Sequence, residues 1–192
     1  TAGFGIAYAV FGNAWQLAAL IANGELDGWM LYPRALLPHV LLGRTVATAW
    51  GDALFGFAVY VYFVRPDAAH LALFSVLSLC VAVLFVGFGT LTGSLGFYLG
   101  NSTTLSEQWR FAMVTFATYP ATLFQGVVKV VLFTAIPALF INLYPIEALR
   151  NMSLADAAVS AAGAVAMLAA GSLVFHHGLR RYESGNLLAM RE

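Results

Sequence analysis

Apolar residues in this sequence are gathered into long runs, and short polar stretches separate the runs. Five runs approach the roughly 20 residues that a helix needs to cross the hydrocarbon core of a bilayer. They cover residues 1–22, 46–64, 69–99, 126–143 and 155–175. Strands of a transmembrane barrel would instead alternate in polarity over segments of about ten residues. The pattern therefore predicts an all-α integral membrane protein, a single domain over residues 1–192 with five transmembrane helices.

Local sequence marks the boundaries of the middle runs. Arg65-Pro66-Asp67 is a charged turn that contains proline, so it should end the run 46–64. The next run has no charged residue from Ala68 to Ser106 and is longer than one crossing requires, which predicts a tilted helix or one that continues past the membrane. Glycines near its end would let a neighbouring helix approach closely: Gly87, Gly89, Gly93, Gly96 and Gly100.

The first long polar connection is predicted to carry a short helix at the membrane surface. It reads Asn-Gly-Glu-Leu-Asp-Gly-Trp-Met-Leu-Tyr-Pro-Arg over residues 23–34. Asn23-Gly24 is typical of a helix end, Glu25 and Asp27 give the next element an acidic edge, and Trp29 suits the level of the lipid headgroups. A docking role for this element and a plain surface loop are both compatible with the pattern.

The second connection, residues 101–125, carries another predicted helix. Its apolar side chains recur at helical spacing: Leu105, Trp109, Met113 and Phe116. Such spacing favours an amphipathic helix lying at the interface. Tyr119-Pro120 then marks a break before the next run, because a residue that precedes proline is disfavoured in the helical conformation.

Composition supports the membrane assignment and removes several other classes. Hydrophobic residues make up 61% of the chain and charged residues 9%, with a mean hydropathy of +0.83. A soluble domain has about a quarter charged residues and could not bury this much apolar surface. Cys80 is the single cysteine, which excludes an internal disulfide scaffold. Nine basic residues balance nine acidic ones, so no net charge favours nucleic acid.

The distribution of basic residues predicts the orientation. Five crossings place seven of them on one side of the membrane: Arg34, Arg44, Arg110, Lys129, Arg180, Arg181 and Arg191. The other side receives Arg65 and Arg150. Because basic residues concentrate on the cytoplasmic side, the C-terminal tail is expected in the cytoplasm and Thr1 outside. Since the sequence opens at Thr1 without methionine and directly in an apolar run, we expect a preceding segment and span to be missing from it.

Few residues are suited to catalysis or to metal binding. The sequence has no Walker-type phosphate loop, Cys80 lies among apolar residues where an inert thiol is expected, and the adjacent His176 and His177 would point about 100° apart on a helix. We expect no enzymatic activity, no metal and no cofactor on this chain. Asp52 lies inside an apolar run, where a charge is costly. It either lines a substrate or proton path, or is a helix-end carboxylate that is hydrated or paired with a nearby arginine such as Arg44.

Four short motifs in this order resemble the type-2 ATP-binding-cassette (ABC) permeases of the six-span exporter kind. They are Gly24-Glu25-Leu26-Asp27 followed by Leu31-Tyr32-Pro33; Tyr119-Pro120; Phe133 with Ile136-Pro137-Ala138-Leu139-Phe140-Ile141 and Tyr144-Pro145; and Gly178-Leu179-Arg180-Arg181-Tyr182-Glu183-Ser184-Gly185-Asn186. The resemblance covers residues 1–190. The sequence departs from the family in lacking its N-terminal cytoplasmic segment and first span, which agrees with the missing segment expected from the topology.

The resemblance implies an exporter permease in the cell membrane that pairs with a second permease subunit, identical or homologous. Two ATPase subunits, which would bind the ATP and Mg, are expected to dock from the cytoplasm. Residues 23–36 would then be the coupling helix, with Glu25 and Asp27 as its main charged contacts and substrate moving between the two permease subunits. The residues expected to couple to the ATPase are Gly24, Glu25, Leu26, Asp27, Trp29 and Arg34, and Asp52 is the candidate for the pathway.

Two other classes remain as alternatives. A membrane-embedded enzyme or scaffold is one, but an intramembrane enzyme should show several polar groups converging at one depth. The candidates here are Asp52 and Lys129, and each is expected near the cytoplasmic edge. A secondary transporter is the other. It would be expected to show broken helices or repeated halves around a midplane site, and the sequence indicates neither.

Overall fold

The structure is a computed structural model that describes residues 1–119, 123, 125–134 and 136–182. Regular structure in these residues is helical, with no strand. Besides a 3₁₀ turn at Gly12–Trp15, the helices are α1 Ala2–Val10, α2 Leu17–Ala22, α3 Leu26–Met30, α4 Leu36–Leu41, α5 Ala49–Val64, α6 Ala68–Ser94, α7 Gly96–Leu99, α8 Thr103–Thr118, α9 Gly126–Thr134, α10 Leu139–Asn151 and α11 Leu154–Leu179. The predicted all-α class is confirmed for the described residues. The tail beyond Tyr182, with Arg191, and the side chain of Lys129 lie outside them.

Helices α6 and α11 form the centre of the bundle. Together with α7, α6 makes an apolar stretch of 32 residues, and α11 has 26, so both are long and apolar enough to cross a membrane. They run parallel, since Gly87 lies against Leu168 and Phe97 lies against Gly178 further along. Where they cross, Gly171 rests on the Gly87 carbonyl. A side chain at either glycine would hold the two backbones apart, so the close approach predicted at Gly87 is confirmed.

Helix α5, with 16 residues, is shorter than α6 and α11, and it ends at the charged turn Arg65-Pro66-Asp67 as predicted. Arg65 follows in the left-handed conformation with φ of 51°, and α6 begins at Ala68. The Asp67 side chain caps α6 by accepting a hydrogen bond from the His70 amide at 2.8 Å. Hydrogen bonds from His70 hold the pKa of the Asp67 carboxyl below its ordinary value. The start of α5 lies at Ala49 rather than at residue 46.

The predicted first span, residues 1–22, is not a continuous helix. Its backbone leaves the α conformation in the middle, where Asn13 Nδ2 donates a hydrogen bond to the Val40 carbonyl at 2.8 Å. The Gly12 amide donates to the Arg44 carbonyl at 3.0 Å. Glycine and asparagine are weak helix formers, and here the polar groups of this stretch bond to the connection after α3 instead of to the preceding turn.

The broken segment keeps one direction nevertheless. Gly3 lies against Val81, and Gly93 lies against Leu17, so the segment runs parallel to α6. Gly5 rests on the backbone of Ala53, and α5 runs antiparallel to both. These directions agree with the predicted alternation of the first, second, third and last runs.

The predicted fourth span, residues 126–143, is also divided. Helix α9 ends at Thr134 and α10 begins at Leu139. Pro137 lies between them, and proline has no amide hydrogen with which to continue a helix. Helix α10 then forms a hairpin with α11 through a short turn in which Ser153 Oγ accepts a hydrogen bond from the Asp156 amide at 3.2 Å.

The helix predicted within residues 101–125 is confirmed as α8, which packs along α6 in the antiparallel direction. Ser106 Oγ donates to the Thr92 carbonyl at 3.0 Å, and the rings of Trp109 and Phe88 lie 6.3 Å apart. Met113, on the same face, is completely buried. The part of the apolar stripe formed by Trp109 and Met113 therefore meets protein.

Helix α8 ends against α10. Asn142 Nδ2 donates hydrogen bonds to the carbonyls of Ala117 at 3.3 Å and Tyr119 at 2.8 Å. Because the last carbonyls of a helix lack partners within it, this buried amide satisfies the end of α8. Helices α8 and α10 together thus line one side of the bundle, joined at Asn142.

Candidate functional site

The candidate coupling element begins at a glycine turn. Gly24 has φ of 72°, its amide donates to the Ile21 carbonyl at 3.2 Å, and the Glu25 amide donates to the Leu20 carbonyl at 2.9 Å. This pair of bonds is the Schellman motif, whose left-handed residue is usually glycine. The helix end predicted at Asn23-Gly24 is confirmed, and the turn sets the direction in which α3 leaves α2.

Helix α3 presents two unlike faces. Leu26 is completely buried in the core of the bundle, so it anchors the helix against the packed core. Glu25 is exposed, and its Oε1 accepts a hydrogen bond from Asn23 Nδ2 at 3.1 Å. Gly28 is exposed as well, with open space where a Cβ would lie. The side of α3 that carries Glu25 and Gly28 is therefore free for contact with another molecule.

An aromatic cluster holds the end of α3 on α4. The centre of the His39 ring lies 5.0 Å from the ring centre of Trp29 and 5.2 Å from that of Tyr32, and both pairs are edge to face. Trp29 also covers Gly43, where any Cβ would lie 2.1 Å from the indole. Arg34 is exposed on the rim of the open depression beside this cluster. Trp29 is thus a packing residue of the element, and Arg34 is available at its surface.

Asp27 is oriented differently from Glu25. Its Oδ1 is buried, as is the hydroxyl of Tyr182, and neither atom makes a regular hydrogen bond within the described part of the chain. The two groups are neighbours: burial, with the Asp27 carboxylate beside the hydroxyl as the next cause, raises the pKa of Tyr182 to about 12. One carboxylate oxygen of Asp27 therefore faces Tyr182, three residues after the end of α11, instead of the surface that carries Glu25.

Asp52 lies in the first turn of α5 and is exposed. It has no ion pair or hydrogen bond with the residues that the structure describes. Arg44, the partner considered from the sequence, donates from Nη1 to Gln16 Oε1 at 2.5 Å. Asp52 is therefore not paired with Arg44.

The histidines have separate partners. His176 Nδ1 lies 2.7 Å from the Ser172 carbonyl, and His177 stacks on Tyr98 with the ring centres 6.4 Å apart. Among residues 1–119 and the other described positions, no three His, Cys, Asp or Glu side chains group as metal ligands do.

Sequence reasoning missed three polar groups on which these elements depend. Asn13 and Asn142 satisfy helix ends inside the bundle, and Tyr182 meets Asp27. An asparagine within an apolar run is a visible signal, because it needs a buried partner. Arg110 was placed in a connection, whereas the structure puts its guanidinium beside the hydroxyl of Tyr8 in α1.

Comparison with known proteins supplies the family. The family model described as ABC-2 family transporter protein matches residues 3–185. No curated protein and no solved structure matches the chain. The expectation that no helix is broken was one argument against a secondary transporter, and the break in residues 1–22 removes that argument. The family match decides between a secondary transporter and an ABC permease. The chain belongs to the ABC-2 transporter family and is a membrane permease subunit of an ABC transporter.

Proposed function

We propose that this chain is the permease subunit of an ATP-driven ABC exporter in the cell membrane. Substrate passes along an interface between this subunit and a second permease, identical or homologous, and two ATPase subunits that bind ATP and Mg dock on α3. The observation that carries the pathway is the position of Asp52, an exposed carboxylate on an apolar helix.

The depth of Asp52 follows from its neighbours. Ala53 lies against Gly5, and Gly3 lies against Ser78 and Val81 of α6. Those residues are close to the middle of the apolar stretch Ala68–Leu99. Asp52 is therefore about halfway along the longest apolar helix of the bundle, and not at its cytoplasmic end.

A charge at that depth needs water or protein beside it. Asp52 shares its side of α5 with exposed apolar residues at helical spacing: Phe55, Val59 and Phe63. A bare carboxylate at the centre of a bilayer costs about 2.5–3.5 kcal/mol or more, and intramembrane carboxylates usually face a protein interior or a water-filled cavity. A second permease subunit over this side of α5 would supply both the cover for the apolar residues and a polar path at Asp52.

The coupling assignment is supported by the shape of α3. Leu26 fixes the helix in the core while Glu25 stands outside it. A carboxylate on a short rigid element is a good partner for an arginine of a soluble subunit. Losing one charged partner from such an interface commonly costs about 2–5 kcal/mol. Glu25→Ala should therefore weaken co-purification of the ATPase while the permease still inserts.

The five crossings are also part of the proposal. In this proposal α8, instead of the first part of the predicted run 126–143, forms the lower half of the fourth crossing, and α10, joined to it at Asn142, forms the upper half. The tail beyond α11 is cytoplasmic. In a Cys80→Ser background, single cysteines at residues 66–68 and 147–151 should react with an impermeant reagent from outside. Cysteines at residues 26–30 should not. The reverse pattern would overturn both the topology and the coupling assignment.

The pathway is tested with inside-out vesicles that contain the complete complex, because ATP added outside then drives an exporter to load the vesicle. Asp52→Leu should abolish ATP-dependent loading, and Asp52→Asn should reduce it strongly, with the complex still assembled. Asp156→Asn, which changes a carboxylate in the first turn of α11, is the matched control and should transport normally. Wild-type loading in both Asp52 variants would refute the pathway role.

A further inference from the structure

Asp27 and Tyr182 each bury one polar side-chain atom, although neither residue is fully buried. Glu25, just before α3, and Gly28, the residue after Asp27, are exposed. Asp27 Oδ1 and the Tyr182 hydroxyl are nevertheless buried, and neither makes a regular hydrogen bond within the described residues. A buried carboxylate oxygen without a donor is costly. Tyr182 lines one pocket with Ile21 and Ala22, just before α3, so its hydroxyl is the donor available to this oxygen.

Tyr182 lies just after the C-terminal end of α11. The proposed topology places this end on the cytoplasmic side, and it is called the inner end below. Its ring lies 5.9 Å from Phe97 in an edge arrangement. Phe97 packs 5.5 Å from Phe175 of α11, also edge to face, and against Gly178. Phe175 is completely buried. The Tyr182 ring is therefore held by Phe97 of α7, which itself packs on α11, and the Tyr182 hydroxyl is the part that reaches α3.

We propose that Tyr182 is a positioning residue for coupling: its hydroxyl donates to the Asp27 carboxylate and ties α3 to the inner end of α11. This rests on the proposed function, in which α3 receives the ATPase. It gives Asp27 a role different from that of Glu25. Glu25 contacts the ATPase, whereas Asp27 passes the displacement of α3 to the membrane helices.

The packing explains why this tie would transmit a displacement. On one side, Trp29 packs over Gly43 and against His39, which joins α3 to α4. On the other side, α11 meets α6 backbone to backbone at Gly87 and Gly171, so a shift of its inner end cannot be absorbed by soft side chains there. A hydrogen bond between Asp27 and Tyr182 then makes the inner end of α11 move together with α3.

The test compares tyrosine-to-phenylalanine changes in the complete complex in vesicles. Tyr182→Phe removes the hydroxyl and leaves the ring on Phe97. We expect the ATPase to co-purify and hydrolyse ATP as before, and transport per ATP hydrolysed to fall about ten-fold. Tyr98→Phe is the matched control, because Tyr98 lies on the same end of the bundle and its hydroxyl donates to the Val174 carbonyl at 3.5 Å. It should leave transport per ATP unchanged.

Changes at Asp27 complete a mutant cycle. Asp27→Asn keeps an oxygen acceptor for the hydroxyl and should retain most of the transport per ATP. Asp27→Ala should lose as much as Tyr182→Phe, and the double variant should lose no more than either single one, as two partners of one bond do. Additive losses would overturn the proposal. So would wild-type transport per ATP in Tyr182→Phe, or a loss of ATPase binding in that variant like the loss expected for Glu25→Ala.

A second readout does not depend on transport at all. Amide hydrogen exchange of residues 26–30 in the purified complex should rise about ten-fold in Tyr182→Phe, the factor expected when a bond to a charged group worth about 1.4 kcal/mol is lost. It should be unchanged in Tyr98→Phe. Unchanged exchange in Tyr182→Phe would refute the tie even if the complex transports. A complex that shows this rise without ATP-dependent transport would instead refute the proposed function.

Discussion

The seam between α6 and α11 and the outer side of α5 are both apolar, yet they are built in opposite ways. At the seam, Gly87 and Gly171 bring two backbones into contact. On α5, large side chains such as Phe55 and Phe63 point away from the rest of the chain, and Asp52 lies among them. Small residues between helices allow close packing in a membrane, whereas bulky exposed ones leave a surface for lipid or for another subunit. Residue size, more than hydrophobicity, separates the packed seam from the exposed side of α5, for which we propose a function.

The largest effect is expected at the seam. Gly87→Ala would put a Cβ 2.6 Å from the Leu168 amide nitrogen, and overpacking of this kind costs about 1–3 kcal/mol or more. Gly51→Ala on α5 is the matched change, because nothing lies within 4 Å of its Cβ position. It should be neutral or stabilise α5 by up to about 1 kcal/mol. Thermal unfolding of the purified protein measures both, and equal melting temperatures would remove the distinction between the two regions.

A smaller loss of stability is expected from a change at the contact between α8 and α10. Asn142→Ala removes the donor for the carbonyls of Ala117 and Tyr119, and an unsatisfied buried polar group costs about 1–3 kcal/mol. Asn151→Ala, at the exposed end of α10, is the control and should change the melting temperature little. If the two variants melt alike, Asn142 does not hold the divided crossing together.

The turn between α5 and α6 should show a modest dependence on pH. The pKa of Asp67 is lowered in the folded protein by hydrogen bonds from His70. A carboxyl with a depressed folded pKa stabilises above its unfolded value, and this stabilisation is lost as pH falls through the folded value. We expect amide exchange of residues 68–71, corrected for its intrinsic pH dependence, to rise on acidification below pH 3.8. In Asp67→Ala it should be raised already at neutral pH, with no further response to acid.

The smallest effect on stability is expected on the outer side of α5. Asp52 is exposed and makes no ion pair or hydrogen bond within the described residues, so Asp52→Asn should change the free energy of unfolding by less than about 0.5 kcal/mol. Its transport should nevertheless fall, which would mark this side of α5 as functional rather than structural. A large loss of stability would instead indicate that Asp52 holds the fold together.

Local chemistry explains which features of the site could be predicted. The glycine turn at Gly24, the charged turn after Val64 and the helical spacing through Trp109 each depend on neighbours in sequence, and the structure confirms all three. The break at Asn13 could not be placed, because its hydrogen-bond partner is the carbonyl of Val40. The contact of Asp27 with Tyr182 joins residues near the two ends of the chain, so no local pattern could predict it.

By itself, the sequence determined the class of this protein: a helical membrane domain with an acidic element after its first apolar run and motifs that resemble ABC permeases. Those properties depend on composition and on the spacing of neighbouring residues, which a linear pattern records. Only the tertiary structure decided that Asp27 faces inward while Glu25 faces out, that Asp52 lies halfway along α6, and that two apolar runs are broken helices. The physical reason is that buried polar groups must find partners, and where those partners come from distant segments, packing alone determines which groups remain exposed.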